Sequence, residues 1–192
     1  MTSSALGSRR SALGGRLSST RAKAIGIVGF AVALAVAAQA AIPLPGTPVP
    51  ITLTPLVVVL AGLWLGPRAA AASMALYLAA GAAGLPVFAP MGAPGVLRLL
   101  GPTGGYLIAY PVAAFVAGWL GERSTSFLTR AGAAAVGMLA IYVGGLAQLT
   151  IITGSLGRAA LLGALPFAAL DAVKAVVAAL ASPSARGRRG EA

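Results

Sequence analysis

Six apolar segments account for most of this chain, and they restrict the folds that are open to it. A helix needs about 20 apolar residues to cross a bilayer, and backbone in lipid must satisfy its own hydrogen bonds. The chain is 58% hydrophobic and 9% charged, whereas soluble domains are roughly one quarter charged. We therefore predict an all-α integral membrane protein with six transmembrane helices. The segments cover residues 24–42, 52–65, 69–85, 104–120, 131–153 and 159–181.

The distribution of basic residues predicts the orientation of these helices. With six spans, both termini and the loops after the second and fourth helices lie on one side of the membrane. That side carries 11 of the 14 lysines and arginines, the other side carries only Arg98 and Arg158, and Lys174 lies within the sixth segment. By the positive-inside rule we expect a multi-pass protein of the cell (plasma) membrane with both termini cytoplasmic. Five or seven spans would destroy this charge partition.

The two ends of the chain are predicted to be basic tails around a membrane domain of residues 24–181. Residues 1–23 are rich in Ser, Gly and Arg and lack apolar periodicity, so we expect a disordered cytoplasmic segment. Residues 182–192 form a second basic cytoplasmic tail. The apolar run at 24–42 is too long for the core of a signal peptide, and we expect it to remain as a membrane helix.

The composition excludes several classes of function. The chain contains no cysteine and no histidine, which excludes thiolate and imidazole metal sites and catalysis by either residue. No Gly-x-x-x-x-Gly-Lys-Ser/Thr motif is present, so we expect no ATP hydrolysis by this chain. The net charge of +11 lies in tails and short loops rather than on a folded soluble face. We predict a lipid-embedded protein that is not an enzyme and has no cofactor, no metal and no nucleic-acid partner.

An acid and a lysine occur together in the last apolar segment. The chain has only three acids and two lysines, yet Asp171 and Lys174 lie three residues apart, which places them on one helix face. Ionisable groups in a membrane are costly and usually face a ligand, an ion or a proton path. We interpret the two residues as the base of a binding site. The alternatives are a purely structural ion pair, or a lysine that extends to the membrane surface.

Proline gives this segment a second feature. Pro166 either kinks the sixth helix or begins its main part. In the second case Asp171 lies in the second turn, close to a helix N-terminus, which favours a negative charge.

Two loops on the non-cytoplasmic side are candidate covers for the site. Residues 43–50 contain four prolines and no charge, which favours a stiff, polyproline-like segment. Residues 84–103 are rich in Gly and Pro and carry Phe88 and Arg98. Loops of this length are usually functional or disordered, and the apolar content of this one favours a lid. Simple connection of helices is the alternative for both.

Small residues recur along the first helix. Alanines four residues apart allow helix backbones to approach closely in lipid. We predict that this face docks a partner membrane subunit, and packing within the bundle is the alternative. The residues concerned are Ala31, Ala33, Ala35 and Ala37.

A series of short motifs, in order along residues 42–174, resembles one known family. The motifs are Pro45-Gly-Thr-Pro-Val-Pro-Ile-Thr52, Leu65-Gly-Pro-Arg68, Gly84-Leu-Pro-Val-Phe88, Gly101-Pro-Thr-Gly-Gly-Tyr106, and Pro166-Phe167 followed by Asp171-x-x-Lys174. The chain thereby resembles BioY, the biotin-binding S-component of energy-coupling factor (ECF) transporters. Each motif alone is weakly specific, whereas the ordered set is specific.

The resemblance implies a six-helix membrane protein that captures biotin from outside the cell. It would work with a transmembrane coupling subunit, which would dock on the alanine face of helix one, and with two ATPase subunits. The family's Asp-x-x-Lys motif corresponds to Asp171 and Lys174, and its Gly-Gly-Tyr motif to Gly104, Gly105 and Tyr106.

The chemistry of biotin agrees with these residues. Asp171 can accept hydrogen bonds from the ureido N–H groups, and Lys174 can serve the ureido carbonyl or the carboxylate. Phe88 and Tyr106 can pack against the bicyclic ring, because small-ligand pockets are mostly apolar with a few polar groups.

One departure from the family concerns the second helix. The family commonly has a glutamine shortly after Pro-Ile-Thr, whereas this chain has Thr52-Leu53-Thr54. A hydroxyl in this stretch therefore replaces an amide. Thr52 remains a candidate contact, and Arg98 is a candidate for a compensating cation.

We predict a biotin-capturing S-component without catalytic activity. The alternatives are an S-component for another vitamin, and a structural or assembly protein in which Asp171 and Lys174 only lock helices together. An intramembrane enzyme is a third, weaker alternative without His, Cys or a second buried acid.

Overall fold

The computed structural model describes residues 3–123 and 126–182, with side chains from residue 20 onward. Helices make up most of this part of the chain, which contains no β-strand and one isolated bridge between Ile42 and Ile51. The helices are α1 (Ser3–Gln39), α2 (Thr54–Leu65), α3 (Pro67–Ala82), α4 (Leu97–Leu100), α5 (Gly104–Gly121), α6 (Phe127–Thr153), α7 (Leu156–Gly163) and α8 (Ala168–Ala181).

Each predicted apolar segment contains helix, and the sixth contains two. Helices α7 and α8 are bent by 57° at a break that includes Pro166, where a proline removes a backbone donor. Three helices of the described ranges are long and apolar enough to cross a membrane, namely Thr20–Gln39 within α1, α5 and α6. A fourth crossing is present if α7 and α8 form one broken span. The structure thus confirms an all-helical membrane fold with three or four candidate spans.

The first helix begins much earlier than the sequence predicts. We expected disorder in residues 1–23, but helical backbone is continuous from Ser3 into the apolar part of α1. Alanine, leucine and arginine in this stretch are strong helix formers, which the Ser/Gly-rich composition obscures. The tail predicted at 182–192 lies outside the described residues beyond Ser182.

Local sequence explains the helix ends. Gly66 has φ of 78° between α2 and α3, a conformation that suits glycine, and Pro67 begins α3, where its missing N–H costs nothing. Helix α6 begins after Ser126, whose side chain accepts from the Thr129 N–H, and ends at the left-handed Gly154.

Helix α5 is central and packs against α2, α3 and α6. Its contact with α6 is close at Gly105, where an added Cβ would overlap the Gly144 carbonyl. Small residues at such crossings let backbones approach in lipid. The helices α2, α5 and α6 contribute to two buried clusters, one rich in aromatic residues and one rich in alanine, and α8 contributes to the second.

Candidate functional site

An open cavity lies beside the aromatic cluster, where helices α2, α3, α5, α6 and α8 meet the loops at 43–50 and 84–96. Its empty space, including the part open to the outside, is about 800 Å³. Small-molecule sites typically enclose roughly 300–1,000 Å³ and are mostly apolar. The polar lining residues are Thr52, Thr54, Tyr77, Arg98, Thr103, Tyr106, Tyr110, Tyr142, Asp171 and Lys174.

The predicted acid and lysine form a buried ion pair in the cavity wall. Asp171 is 7% exposed and Lys174 is 6% exposed, and the Lys174 Nζ donates to the Asp171 Oδ1 across 2.7 Å. Asp171 lies in the first turn of α8, where the helix dipole favours a carboxylate. The burial of Lys174 rules out extension of this side chain to the membrane surface.

A tyrosine that the sequence analysis missed completes this cluster. The hydroxyl of Tyr142, on α6, donates to the second oxygen of Asp171. Both carboxylate oxygens therefore have one partner, while Lys174 uses one of its three N–H donors within the described part of the chain. The cluster holds Asp171 in a fixed orientation and leaves donors and acceptors for a ligand.

Hydroxyl groups form a second polar row, between α2 and α5. Thr52 and Thr54 hydroxyls lie 2.6 Å apart, and Thr54 lies 2.8 Å from the Tyr110 hydroxyl. Hydroxyls both donate and accept, so this row can adapt to a polar ligand group. Thr52 was predicted from the sequence as a site residue, whereas Thr54 and Tyr110 were not.

All four tyrosines of the chain line the cavity, and only one of them was predicted. Tyr106 was selected through its motif, and its hydroxyl donates to the Gly163 carbonyl at the end of α7 across 2.8 Å. The sequence could have indicated the other three tyrosines as well, because tyrosines in membrane helices usually concentrate at the lipid–water interface. Tyrosines in the interior of apolar segments are therefore unusual and indicate buried polar partners.

The proline-rich loop is closed at its base and attached to α7. Ile42 and Ile51 exchange backbone hydrogen bonds of 2.9 Å at its base. The Thr47 hydroxyl donates to the Leu162 carbonyl of α7 across 2.5 Å. Val49 of the same loop is buried and lines the cavity. The loop therefore forms part of the cavity wall.

The second loop contacts both the cavity and α1. Phe88 is 7% exposed and packs edge-on against Tyr77, with ring centroids 5.4 Å apart. Gln39, at the end of α1, lies with its Nε2 3.2 Å from the Phe88 carbonyl and 3.3 Å from that of Pro86. These contacts keep Phe88 over the cavity.

Arg98 supplies a second cation to the cavity. It is 9% exposed, and one guanidinium nitrogen donates to the Ala89 carbonyl. Burial lowers the pKa of the Arg98 guanidinium and the nearby Tyr77 raises it, but arginine stays charged near neutral pH. No carboxylate in residues 20–123 or 126–182 pairs with it. With Lys174 and Asp171, the lining residues carry a net charge of +1.

Two predicted site residues lie elsewhere. Gly104 and Gly105 do not line the cavity; they are contact points for neighbouring backbone and side chains. An added Cβ at Gly104 would overlap the Leu99 carbonyl, and one at Gly105 would meet Gln148. The other six predicted residues line the cavity: Thr52, Phe88, Arg98, Tyr106, Asp171 and Lys174.

The alanines of helix one do not share one face. Ala31 is 8% exposed and belongs to the aromatic cluster, with Ala35 half-buried beside it. Ala33 is exposed and Ala37 is half-buried. Because Ala31 is part of the core, it is not available to a partner. The predicted docking face is therefore limited to Ala33 and Ala37.

Comparison with known proteins identifies relatives over most of the chain. The sequence profile of the BioY family matches residues 8–190. A probable biotin transporter BioY of Pyrococcus horikoshii is 41% identical over 171 residues, which cover 87% of this chain and 98% of the relative. A biotin transporter BioY of Thermotoga maritima is 38% identical over 123 residues, which cover 64% and 72%.

A solved structure has the same fold. It is the crystal structure of the S-component for biotin from an ECF-type ABC transporter. Its TM-score is 0.79 at 24% sequence identity, and the match covers 90% of this chain and 93% of that one.

Proposed function

The chain belongs to the BioY family, and on this premise we propose that it is the biotin-binding membrane subunit of a biotin uptake system. The observation that carries the proposal is the buried pair of Asp171 and Lys174 in the wall of an open, mostly apolar cavity. A buried ion pair contributes little to stability and is often retained for another reason. Here that reason is a ligand with polar groups at fixed positions.

The cavity matches the charge and the polarity of biotin. Biotin carries one negative charge, on its carboxylate, and the lining residues carry a net charge of +1. Asp171 accepts from a ureido N–H, and Lys174, which lies beside it, donates to the ureido carbonyl. Arg98, which has no acidic partner in the described ranges, receives the carboxylate.

Aromatic and hydroxyl groups complete the proposed contacts. Phe88 and Tyr106 pack against the bicyclic ring, and Thr52 contacts the ligand through its hydroxyl at the end of the hydroxyl row. Gly104 and Gly105 act indirectly, because they let the start of α5, which carries Tyr106, approach its neighbours.

We also propose six spans with both chain ends cytoplasmic. In this arrangement α7 and α8 form one broken span, and α2 and α3 are short spans supported by their neighbours. Arg68, Arg123 and Arg130 lie at the helix ends away from the cavity, which is consistent with the positive-inside rule. The cavity then faces the outside of the plasma membrane, and residues 1–23 and 182–192 lie inside the cell.

The proposed partners are an ECF transmembrane coupling subunit and ATPase subunits. The sequence has no phosphate-binding motif of its own, so energy must come from another chain. Exposed Ala33 and half-buried Ala37 on α1 are the proposed contacts for the coupling subunit. The chain itself catalyses no reaction in this account.

Direct binding tests the substrate. Purified protein in detergent should bind labelled biotin in a saturable way, and unlabelled biotin should displace the label while thiamine and riboflavin should not. Displacement by another vitamin and not by biotin would assign the protein to that vitamin. Absence of binding by all three would favour a structural role for the Asp171–Lys174 pair.

A further inference from the structure

One buried polar group in the cavity wall has no partner in the described part of the chain. Tyr77 is 2% exposed and lines the cavity, and its hydroxyl makes no hydrogen bond to residues 20–123 or 126–182. A buried hydroxyl without a partner is unfavourable, because it has lost its bonds to water. The other three tyrosine hydroxyls, of Tyr106, Tyr110 and Tyr142, each have a partner.

The position of the Tyr77 ring is fixed by its surroundings. Phe88 packs against it with an angle of 76° between the rings. Gly81, one turn later on α3, leaves the space that the Phe88 ring occupies, because an added Cβ at this position would overlap it. The ring that carries the unpaired hydroxyl is therefore held in the cavity wall and cannot easily turn to find a partner.

A charged group that interacts with Tyr77 is also incompletely paired. Arg98 lies within electrostatic range of Tyr77 and lines the same cavity. Its guanidinium donates to one backbone carbonyl, of Ala89, although it has five N–H donors. A neutral O–H donor beside a cation is the arrangement that binds an oxyanion, since both can donate to the same carboxylate.

We propose that the Tyr77 hydroxyl contacts the ligand: it donates a hydrogen bond to the ligand carboxylate beside Arg98 and sets the preference for the free acid over a neutral carboxyl derivative. This inference deepens the proposed function and rests on it. The ligand then supplies the missing partner, and the unpaired state belongs to the ligand-free protein.

The test compares two tyrosine-to-phenylalanine variants in purified full-length protein. Tyr77→Phe removes the unpaired hydroxyl, so the Tm of the ligand-free protein should stay unchanged or rise. The Kd for biotin should increase about tenfold, the effect of losing one hydrogen bond to a charged group. Tyr110→Phe is the matched control, because its hydroxyl is paired with Thr54 and its loss should lower the ligand-free Tm.

A neutral analogue identifies the ligand group. Wild type should bind biotin more tightly than biotinamide, and Tyr77→Phe should lose much of that preference, because binding of biotinamide changes little. Equal weakening of both ligands, or unchanged binding of biotin, would overturn the inference. A fall in ligand-free Tm as large as that of Tyr110→Phe would also overturn it. If wild type binds no biotin, the proposed function fails, and the carboxylate assignment fails with it.

Discussion

The two ends of the helix bundle are built from different residues, although α2, α5 and α6 contribute to both. Near the cavity the buried cluster contains large aromatic side chains, including Tyr77, Phe88 and Tyr106. At the opposite end it consists mainly of alanine and medium-sized aliphatic residues, including Ala117 and Ala134, which are fully buried. Residues 20–123 and 126–182 contain one buried ion pair, between Asp171 and Lys174, and it lies at the cavity end.

Helix α8 shows the contrast within a few turns. It begins with Asp171 and Lys174 in the cavity wall and continues with Ala175 and Ala178 in the alanine-rich cluster. In lipid the hydrophobic effect does not drive helices together, and close packing of small residues provides much of the attraction. A closely packed end therefore holds the helices, while a loosely filled end keeps space for a ligand.

The largest effect is expected when only one of the two residues of the ion pair is replaced. Lys174→Ala leaves a buried carboxylate without its cation, which typically destabilises a protein by about 3–5 kcal/mol. Biotin binding should be lost as well. The double variant Asp171→Leu/Lys174→Met, which removes both charges, should recover most of the stability and still fail to bind. Thermal melts and labelled-biotin binding measure the two effects, and recovery of binding in the double variant would contradict a ligand role for the pair.

A substitution at the closely packed end should affect stability rather than recognition. At Gly62 an added Cβ would lie 2.5 Å from the Ala114 carbonyl and 2.9 Å from the Gly118 nitrogen. Gly62→Val should therefore destabilise the fold by about 1–3 kcal/mol or more, seen as a lower Tm. The control is Gly132→Ala, because that position has no neighbour within 4 Å and should gain up to about 1 kcal/mol from helix propensity. Equal Tm values for the two variants would contradict this description.

Removal of the Tyr142 hydroxyl should weaken binding more than it weakens the fold. This hydroxyl orients Asp171, and hydrogen bonds to charged groups contribute about 1.5–3 kcal/mol. Tyr142→Phe should raise the Kd for biotin at least tenfold in equilibrium binding. Tyr106→Phe is the comparison, since its hydroxyl donates to a neutral carbonyl and its loss should have a smaller effect. Equal changes in Kd would argue against a special role for the Asp171 contact.

The smallest effect is expected at the proline-rich loop. Thr47→Val removes the hydroxyl that donates to the Leu162 carbonyl and accepts from the Val49 N–H, each bond contributing about 0.5–1.5 kcal/mol. Dissociation of labelled biotin should become several-fold faster, while the Tm should fall less than in Gly62→Val. Thr153→Val is the control, because that hydroxyl bonds to Leu149 and Ser155 near the end of α6 and does not hold the loop. An unchanged dissociation rate in Thr47→Val would show that the loop merely connects helices.

Features set by local sequence were predicted well. The spacing of Asp171 and Lys174 predicted a shared helix face, and the structure confirms the pair. Pro166 predicted a break in the sixth segment, and Asp171 lies in the first turn of the helix that follows. The apolar segments predicted the helices, because backbone hydrogen bonding in lipid leaves few alternatives.

Features set by tertiary packing were not predicted. The contact between Tyr142 and Asp171 depends on the rotation of α6 against α8, which single-helix periodicity does not give. The motif that contains Gly104 and Gly105 was interpreted as a ligand contact, yet these residues meet neighbouring helices and loops. The helical backbone of residues 3–23 was missed, because composition was given more weight than local helix propensity.

We propose that the Asp171–Lys174 end of the cavity recognises biotin. The most direct measurement is the Tm of detergent-purified wild type and Asp171→Asn, each with and without biotin. A ligand that binds only the folded state stabilises it by about 2.7 kcal/mol at 100 times its Kd. We expect a biotin-dependent rise in Tm for wild type and none for Asp171→Asn. A rise of equal size in a folded Asp171→Asn variant would contradict the claim.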